Sequence, residues 1–134
     1  MSDLLAGASA IQSVLEQVHD TGLRAFIVWE PVLPTDWAAP SSSTLSRVRD
    51  PRAMQYWDRG RLLSKALGGP ERFPRSDPVN RIQFNMHGVI WDFVAIFPPG
   101  TDRPSFTGAP VVSLADDVHR ELEHVAGLIT LPTR

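Results

Sequence analysis

The sequence of 134 residues contains no cysteine. A chain without cysteine forms no disulfide, offers no thiol nucleophile and holds no thiolate metal ligand. Dithiol redox chemistry is excluded for the same reason, because its electrons pass through a pair of cysteine sulfurs. Any function of this chain therefore has to use other side chains.

The chain also lacks a dense block of lysine and arginine, and it lacks a long apolar run. Its 13 basic and 15 acidic residues give a net charge of −2, so no excess of positive charge favours nucleic acid or an anionic membrane as a partner. No stretch of about 18 apolar residues could span a bilayer, and the acidic start is unlike a signal peptide. These features predict a soluble, cytoplasmic protein with a single domain over residues 1–134.

Apolar periodicity predicts a helix, a strand and further helices in the first half of the chain. The first helix ends near Gly22, and a strand over 23–32 follows, with the nearly continuous apolar core of a strand covered on both faces. Ser41 is placed to cap a short helix. Asp50 and Pro51 resemble the cap and first residue of another, longer helix.

The second half of the chain predicts two strands and a closing helix. Residues 81–86 alternate weakly between apolar and polar side chains, and residues 89–97 give the strongest strand signal in the sequence. An extended segment over 109–114 leads to the last helix, with Ser113 as its N-cap. The order of helix, strand, helices, two strands and helix indicates a small α/β sandwich.

Five short motifs, most of them combining tryptophan with an acidic residue, are spread along the chain. They are Trp29-Glu30-Pro31-Val32, Thr35-Asp36-Trp37, Asp50-Pro51-Arg52, Tyr56-Trp57-Asp58 and Ile90-Trp91-Asp92. Their order and spacing resemble those of a group of small, uncharacterised bacterial proteins described as thioredoxin-like domains. The resemblance covers residues 23–127. It implies a thioredoxin-like fold, with a central sheet of about four strands flanked by helices, and it implies no particular activity.

The chain departs from true thioredoxins at the position of their two redox-active cysteines. In those proteins two cysteines follow the first central strand, at the N-terminus of a helix. The matching residues 34–43 contain Asp, Trp, Ser and Pro but no thiol. Because a shared fold does not carry function with it, the resemblance predicts a redox-inactive domain. Among Pro98, Pro99 and Pro110, the best placed for the cis-proline of that fold is Pro110.

The junction between the first strand and the next helix is the strongest candidate for a functional site. Asp36 would act there as a base or as an anchor for a ligand, and Trp37 would form one wall of the pocket. The alternative is structural: Asp36 accepts hydrogen bonds from backbone amides of the turn, and Trp37 covers the core.

Two further carboxylates lie beside tryptophans. Asp58 ends the predicted long helix, where the helix dipole disfavours a negative charge, so it either has a function or pairs with an arginine. Asp92 interrupts an apolar strand and has to face solvent, a pocket or a cation. The possible cation partners are Arg59 and Arg61 for Asp58, and Arg24 and Arg81 for Asp92.

The four tryptophans either wall a pocket or protein-binding face, or fill the core. If the three carboxylates converge beside them, the pocket could perform general acid–base chemistry. The predicted ligand-binding set is Trp29, Asp36, Trp37, Trp57, Asp58, Trp91 and Asp92. The candidate general base is Asp36.

Neither a metal nor a cofactor is expected, because the histidines lack the spacing of a zinc motif and the chain has no glycine-rich phosphate loop. The first hypothesis is a redox-inactive thioredoxin-like domain that binds a partner protein or a small ligand at the strand–turn–helix junction. The alternative is a small enzyme of non-thiol mechanism, with Asp36 as general base in a tryptophan-walled pocket. A third possibility is a subunit of a larger assembly, such as a homodimer, joined through a strand edge or a tryptophan face.

Overall fold

The computed structural model describes residues 2–31, 38–67 and 92–129. Its helices are α1 (Ser2–Gln17), α2 (Ser42–Leu45), α3 (Leu62–Leu67) and α4 (Ala115–Ile129), and a 3-10 helix spans Val111–Leu114. Its strands are β1 (Ala25–Trp29), β2 (Ala53–Trp57), β3 (Val94–Ile96) and β4 (Phe106–Gly108). None of the helices in these ranges is long and apolar enough to cross a membrane.

The described strands form two small sheets. Strands β1 and β2 run parallel, with Ala25 opposite Ala53 and Trp29 opposite Trp57. Strands β3 and β4 run antiparallel over three residue pairs. The fold is therefore mixed α/β, as predicted, but the described residues show two two-stranded sheets and not one sheet of four strands.

Helix α1 contributes to both hydrophobic clusters of the core. One cluster is built from Val14, Val18, Ile96, Val118 and Val125. The other is built from Ala8, Leu15 and Val48, with β1 packed against it. Because the apolar face of α1 is shared between the clusters, the helix joins the β1–β2 sheet to β3 and α4.

The end of α1 is held by Arg52, the residue directly before β2. The guanidinium of Arg52 donates to the carbonyls of Leu15 and Val18 at 2.6 Å each and to that of Asp20 at 2.9 Å. It also binds both carboxylate oxygens of Asp50, at 2.9 and 2.8 Å. These hydrogen bonds lower the pKa of Asp50 to about 2 and raise that of Arg52. Arg52 therefore satisfies carbonyls that have no donor within the helix.

Residues 50–67 form a strand and a short helix, so the prediction of one longer helix is wrong. The side chains of β2 alternate, with Met54 and Tyr56 exposed and their neighbours half-buried. This two-residue period suits a strand beside β1, whose backbone groups need a pairing partner. Asp50 accepts from the backbone N–H and guanidinium of Arg52 and does not cap a helix.

The prediction of an extended segment over 109–114 is also wrong. Strand β4 ends at Gly108, and the 3-10 helix runs directly into α4. Ser113 lies inside the 3-10 helix and is not an N-cap. The peptide bond between Ala109 and Pro110 is cis, so Pro110 has the predicted isomer.

Several local predictions are confirmed. A helix precedes β1, and the hydroxyl of Ser41 accepts a hydrogen bond from the amide of Thr44 at 3.2 Å, which caps α2. Strand β3 lies within the predicted strand over 89–97. The predicted strand over 81–86 lies outside the described residues.

Candidate functional site

Four of the seven predicted site residues fall within the described ranges. Asp36, Trp37 and Trp91 lie outside them, so the predicted base and its tryptophan wall have no described geometry. Trp29, Trp57 and Asp58 lie together at the carboxyl ends of β1 and β2. Asp92 lies just before β3.

Trp29 and Trp57 are opposite each other at the last position of the β1–β2 pair, and both are half-buried. The indole N–H of Trp29 donates to Oε1 of Gln55 at 3.0 Å. The amide nitrogen of Gln55 in turn donates to carbonyls at the end of α2 and beyond, those of Leu45 and Val48. Trp29 also packs against the core cluster that contains Val48, which favours the structural interpretation of this tryptophan.

Glu30 faces Asp58 across the carboxyl ends of the two parallel strands. Glu30 directly follows β1 and Asp58 directly follows β2, and their side chains are close enough for each to shift the pKa of the other. Glu30 also accepts from the amide of Ser64 at 3.1 Å and from its hydroxyl. Ser64 is only 8% exposed. We call Glu30 and Asp58 the carboxyl pair.

The two members of the carboxyl pair differ in their affinity for protons. Burial raises the pKa of Glu30, and the hydrogen bond and charge of Asp58 add to this, against the lowering effect of Ser64. Burial also acts to raise the pKa of Asp58, but hydrogen bonds from the amides of Leu63 and Leu62, together with Glu30 and Lys65, lower it on balance. When the pair binds one proton, Glu30 is therefore favoured to hold it and Asp58 to stay charged.

Asp58 lies before the first turn of α3, not at the end of a helix as predicted. Its Oδ2 accepts from the amide of Leu63 at 2.7 Å, so the end of the helix that it meets favours negative charge. Arg61, one of the predicted cation partners, donates from Nε to the carbonyl of Pro31 at 2.7 Å and has a positive φ of 55°. Backbone amides are thus the principal stabilising partners of the Asp58 charge.

Asp92 joins α1 to the 3-10 helix. The amide of Val111 lies 3.3 Å from Oδ1 of Asp92 and 3.2 Å from its backbone carbonyl. A Cβ at Gly7 would lie 2.6 Å from the same Oδ1, so the carboxylate rests directly on the surface of α1. Asp92 has a φ of 52° and precedes β3, so its predicted place inside a strand is wrong. The predicted partner Arg24 instead donates to the carbonyls of Thr21 and Leu23, and Arg81 lies outside the described residues.

Within the described ranges, no group of three or more histidine, aspartate and glutamate side chains is placed to hold a metal ion. An open cleft of about 390 Å³ lies between the end of α1 and α4, lined by Val18, His19, Asp20, Glu123, Ala126 and Gly127. Its lining shares no residue with the carboxyl pair.

No protein family, curated protein or solved structure matches this chain. The described residues therefore define the class only as a mixed α/β domain with two acids at the ends of a parallel strand pair.

Glu30 is the member of the site that sequence interpretation missed. The signal was present, because Trp29-Glu30 and Trp57-Asp58 repeat the same order of tryptophan and acid. The repeat becomes meaningful only if 53–57 is a strand, since parallel neighbours in register bring their following residues together. Assigning these residues to a helix removed that connection.

Proposed function

We propose that this chain is a ligand-binding α/β domain whose site lies at the carboxyl ends of β1 and β2. The observation that carries this proposal is the carboxyl pair, in which the side chains of Glu30 and Asp58 meet beside the buried Ser64, with the pKa of Glu30 raised and that of Asp58 lowered. In open α/β folds, ligands bind outside the carboxyl ends of parallel strands. Here that position offers two neighbouring carboxyl groups of different proton affinity to a polar molecule.

We place this site in a redox-inactive domain of thioredoxin-like type that works in the cytoplasm. A parallel pair followed by an antiparallel pair and a closing helix is compatible with such a fold, and the absence of cysteine removes its usual chemistry. The ligand is a small polar molecule or a polar segment of a partner protein. Nucleic acid is a poor candidate because a net charge of −2 does not attract its phosphate backbone.

A fragment titration followed by ¹⁵N–¹H NMR tests the site. The probes are single small molecules that carry a primary amine, an amide or a hydroxyl group. We expect at least one of them to shift the amide signals of Glu30, Asp58 and Ser64. Glu30→Gln and Asp58→Asn should weaken that binding about tenfold, the loss of one charge-assisted hydrogen bond.

Asp102→Asn is the matched control, because Asp102 is exposed in the turn between β3 and β4. It should bind the same fragment as the unchanged protein does. Fragments that shift only amides remote from the carboxyl pair, or that bind Glu30→Gln with full affinity, would refute the site.

General acid–base catalysis is a second candidate function, favoured by the opposite pKa shifts of the carboxyl pair. A carboxyl that keeps its proton beside one that has lost it is the arrangement required of an acid and a base. Glu30 would donate a proton and Asp58 would accept one, while Asp36 stays a predicted base outside the described residues. Carboxyl ¹³C titration should show Glu30 above its usual value of 4.5 and Asp58 below its usual value of 3.8. Ordinary values for both would remove this candidate.

A further inference from the structure

The outward face of the β1–β2 sheet carries large apolar side chains that are exposed. Phe26, Met54 and Tyr56 are 64%, 51% and 45% exposed. Phe26 is opposite Met54 in the register, and the rings of Phe26 and Tyr56 stack with their centroids 6.4 Å apart. We call these three residues the outer patch. It is continuous, because its members are neighbours across the two strands.

The outer patch is on the opposite side of the sheet from the core. Ala25 and Ile27, which alternate with Phe26 along β1, pack against the cluster of α1 and Val48. Parallel strands are normally covered on both faces, and a continuous exposed apolar patch on a folded protein usually marks an interaction surface. The outer patch is therefore a candidate docking surface.

The same alternation of side chains places the carboxyl pair at one end of the outer patch. Glu30 lies an even number of residues after Phe26, and Asp58 lies an even number after Tyr56, so all four side chains leave the sheet on one side. The strand pairing continues to this point, because the amide of Asp58 donates to the carbonyl of Trp29 at 2.8 Å. The outward face of the sheet is therefore an apolar strip that ends at two acids.

We propose that the outer patch and the carboxyl pair together dock an amphipathic helix of a partner protein, one that carries a lysine or arginine at one end of its apolar stripe. The apolar stripe of that helix covers Phe26, Met54 and Tyr56, and its cation meets Asp58. The inference rests on the proposed function, because it names the kind of partner that the carboxyl pair helps to bind.

The size of the face favours a single helix over a second copy of this chain. From Phe26 to Glu30 an extended strand rises about 13 Å, and two strands are about 10 Å across, so the face measures roughly 130 Å². A stable dimer buries about 800 Å² on each partner, so a dimer joined through this face alone would fall short. A helix is about 10 Å in diameter, and about nine of its residues cover the length of the strip.

The charge at the end of the face favours a cation in the partner. The carboxylate of Asp58 is held by backbone amides of α3, and it forms no salt bridge with any residue that the structure describes. Lys65 lowers its pKa only from beyond salt-bridge distance. A lysine or arginine brought by the partner would complete this pair beside apolar side chains that exclude water, which strengthens the attraction.

An ¹⁵N–¹H NMR titration of the full chain with two synthetic peptides tests the docking face. Both peptides are helices of about 14 residues with leucine at every third or fourth position. They differ only at one end of the leucine stripe, where one carries lysine and the other glutamate. We expect the lysine peptide to shift the amide signals of Phe26, Met54, Tyr56 and Asp58. It should bind at least about fivefold more tightly than the glutamate peptide.

Variants of the protein separate the apolar contact from the charge. Phe26→Gln should weaken binding of the lysine peptide at least about fivefold. Phe97→Gln is the matched control, because Phe97 is 47% exposed but directly follows β3 of the other sheet, and it should bind the peptide as the unchanged protein does. Asp58→Asn should bring the affinities of the two peptides close together. The comparison of the two peptides on the unchanged protein needs no variant to fold.

Three results would overturn the inference. The first is a lysine peptide that leaves the signals of the outer patch unchanged, and the second is equal affinity of the two peptides for the unchanged protein. The third is a dimer in light scattering that Phe26→Gln converts to a monomer, because a second copy would then occupy the face.

The primary-amine fragments that test the ligand site distinguish these failures from a failure of the proposed function. A fragment reaches the carboxyl pair without covering the outer patch, so Phe26→Gln should leave its binding unchanged. If such a fragment shifts the signals of Glu30 and Asp58 while the lysine peptide does not bind, only the helical partner is refuted. If neither binds, the proposed function fails as well.

Discussion

Glu30 and Asp58 show how neighbours decide the proton affinity of otherwise similar side chains. Both are half-buried acids that follow a tryptophan at the end of a strand. Asp58 meets backbone amides of α3, whereas Glu30 meets the buried Ser64 and the charge of Asp58. Glu30 therefore has a higher affinity for a proton than Asp58 has.

The first prediction is that Glu30→Gln makes stability less sensitive to pH. As pH rises above about 4.5, Glu30 ionises first in the unfolded chain, because its folded pKa is raised. Folding stability contributed by the protonated form is therefore lost as pH rises through the folded pKa. Glutamine does not ionise and can still accept from Ser64, so urea midpoints of the variant should fall less between pH 4 and pH 7. Glu121→Gln on α4 is the control and should follow the unchanged protein.

The identity of Gly7 is dictated by a neighbouring side chain. The carboxylate of Asp92 occupies the space that a Cβ would need. Although alanine favours a helix by about 1 kcal/mol over glycine, the clash at this buried position should dominate.

We therefore predict that Gly7→Ala lowers the free energy of unfolding by about 1–3 kcal/mol. Gly127→Ala on α4 is the matched control, because a Cβ there meets nothing within 4 Å, and it should be neutral or stabilising. Asp92→Gly removes the carboxylate and should therefore reduce the cost of Gly7→Ala. Glycine is the replacement because it accepts the positive φ of position 92. An equal cost in both backgrounds would contradict the contact between Gly7 and Asp92.

At the scale of elements, the end of α1 and the start of β2 depend on each other through Arg52. One planar guanidinium reaches the carboxylate of Asp50 and three carbonyls. A lysine ammonium cannot supply donors in the same plane. This contact helps to position β2 beside β1, so it also positions Asp58 opposite Glu30.

The third prediction concerns acid unfolding and the Asp50–Arg52 pair. Asp50 has a folded pKa of about 2 against its usual 3.8, so its stabilisation is complete above about pH 4 and is lost as pH falls towards 2. The difference corresponds to about 2 kcal/mol. Asp50→Asn should cost about that much at pH 7 and show a smaller decline in stability between pH 4 and 2, measured by urea unfolding.

Asp116→Asn, in the exposed first turn of α4, is the control for this experiment. It should retain the acid-dependent decline of the unchanged protein. An Asp50→Asn variant that loses stability with acid as steeply as the unchanged protein would show that the pair does not contribute in the way its geometry indicates.

Strand β2 illustrates why an element can be mistaken in sequence. Asp50 and Pro51 carry a valid start signal for a helix, and the following residues have no property that forbids one. The strand forms because β1 provides a partner in register and Arg52 ties its start to α1. Local propensity is a weak preference that such contacts override.

At the scale of the whole molecule, α1 makes the two core clusters interdependent. It contributes Val14 to one cluster, which Val18 joins directly after the helix ends, and Ala8 and Leu15 to the other. Loss of packing in one cluster should therefore destabilise the other cluster.

The fourth prediction is that Val118→Ala lowers the unfolding midpoint seen by tryptophan fluorescence as much as that seen by circular dichroism. Val118 is 2% exposed in the cluster of α4 and β3. Trp29 and Trp57 lie at the β1–β2 sheet, and they are the only fluorescent tryptophans when both proteins also carry Trp37→Phe and Trp91→Phe. The cost should be about 1–3 kcal/mol, from lost burial and a small cavity. Separate transitions for the two probes would show that the clusters unfold independently.

The sequence by itself determined the features that depend on composition or on near neighbours. It excluded thiol chemistry, and its local signals placed α1, β1, the Ser41 cap and the mixed α/β class. The tertiary structure alone decided that 53–57 is a strand, that Glu30 meets Asp58, and that Asp92 rests on Gly7. Each of these depends on residues far apart in the chain, whose pairing and burial carry more free energy than the local preferences that a single sequence displays.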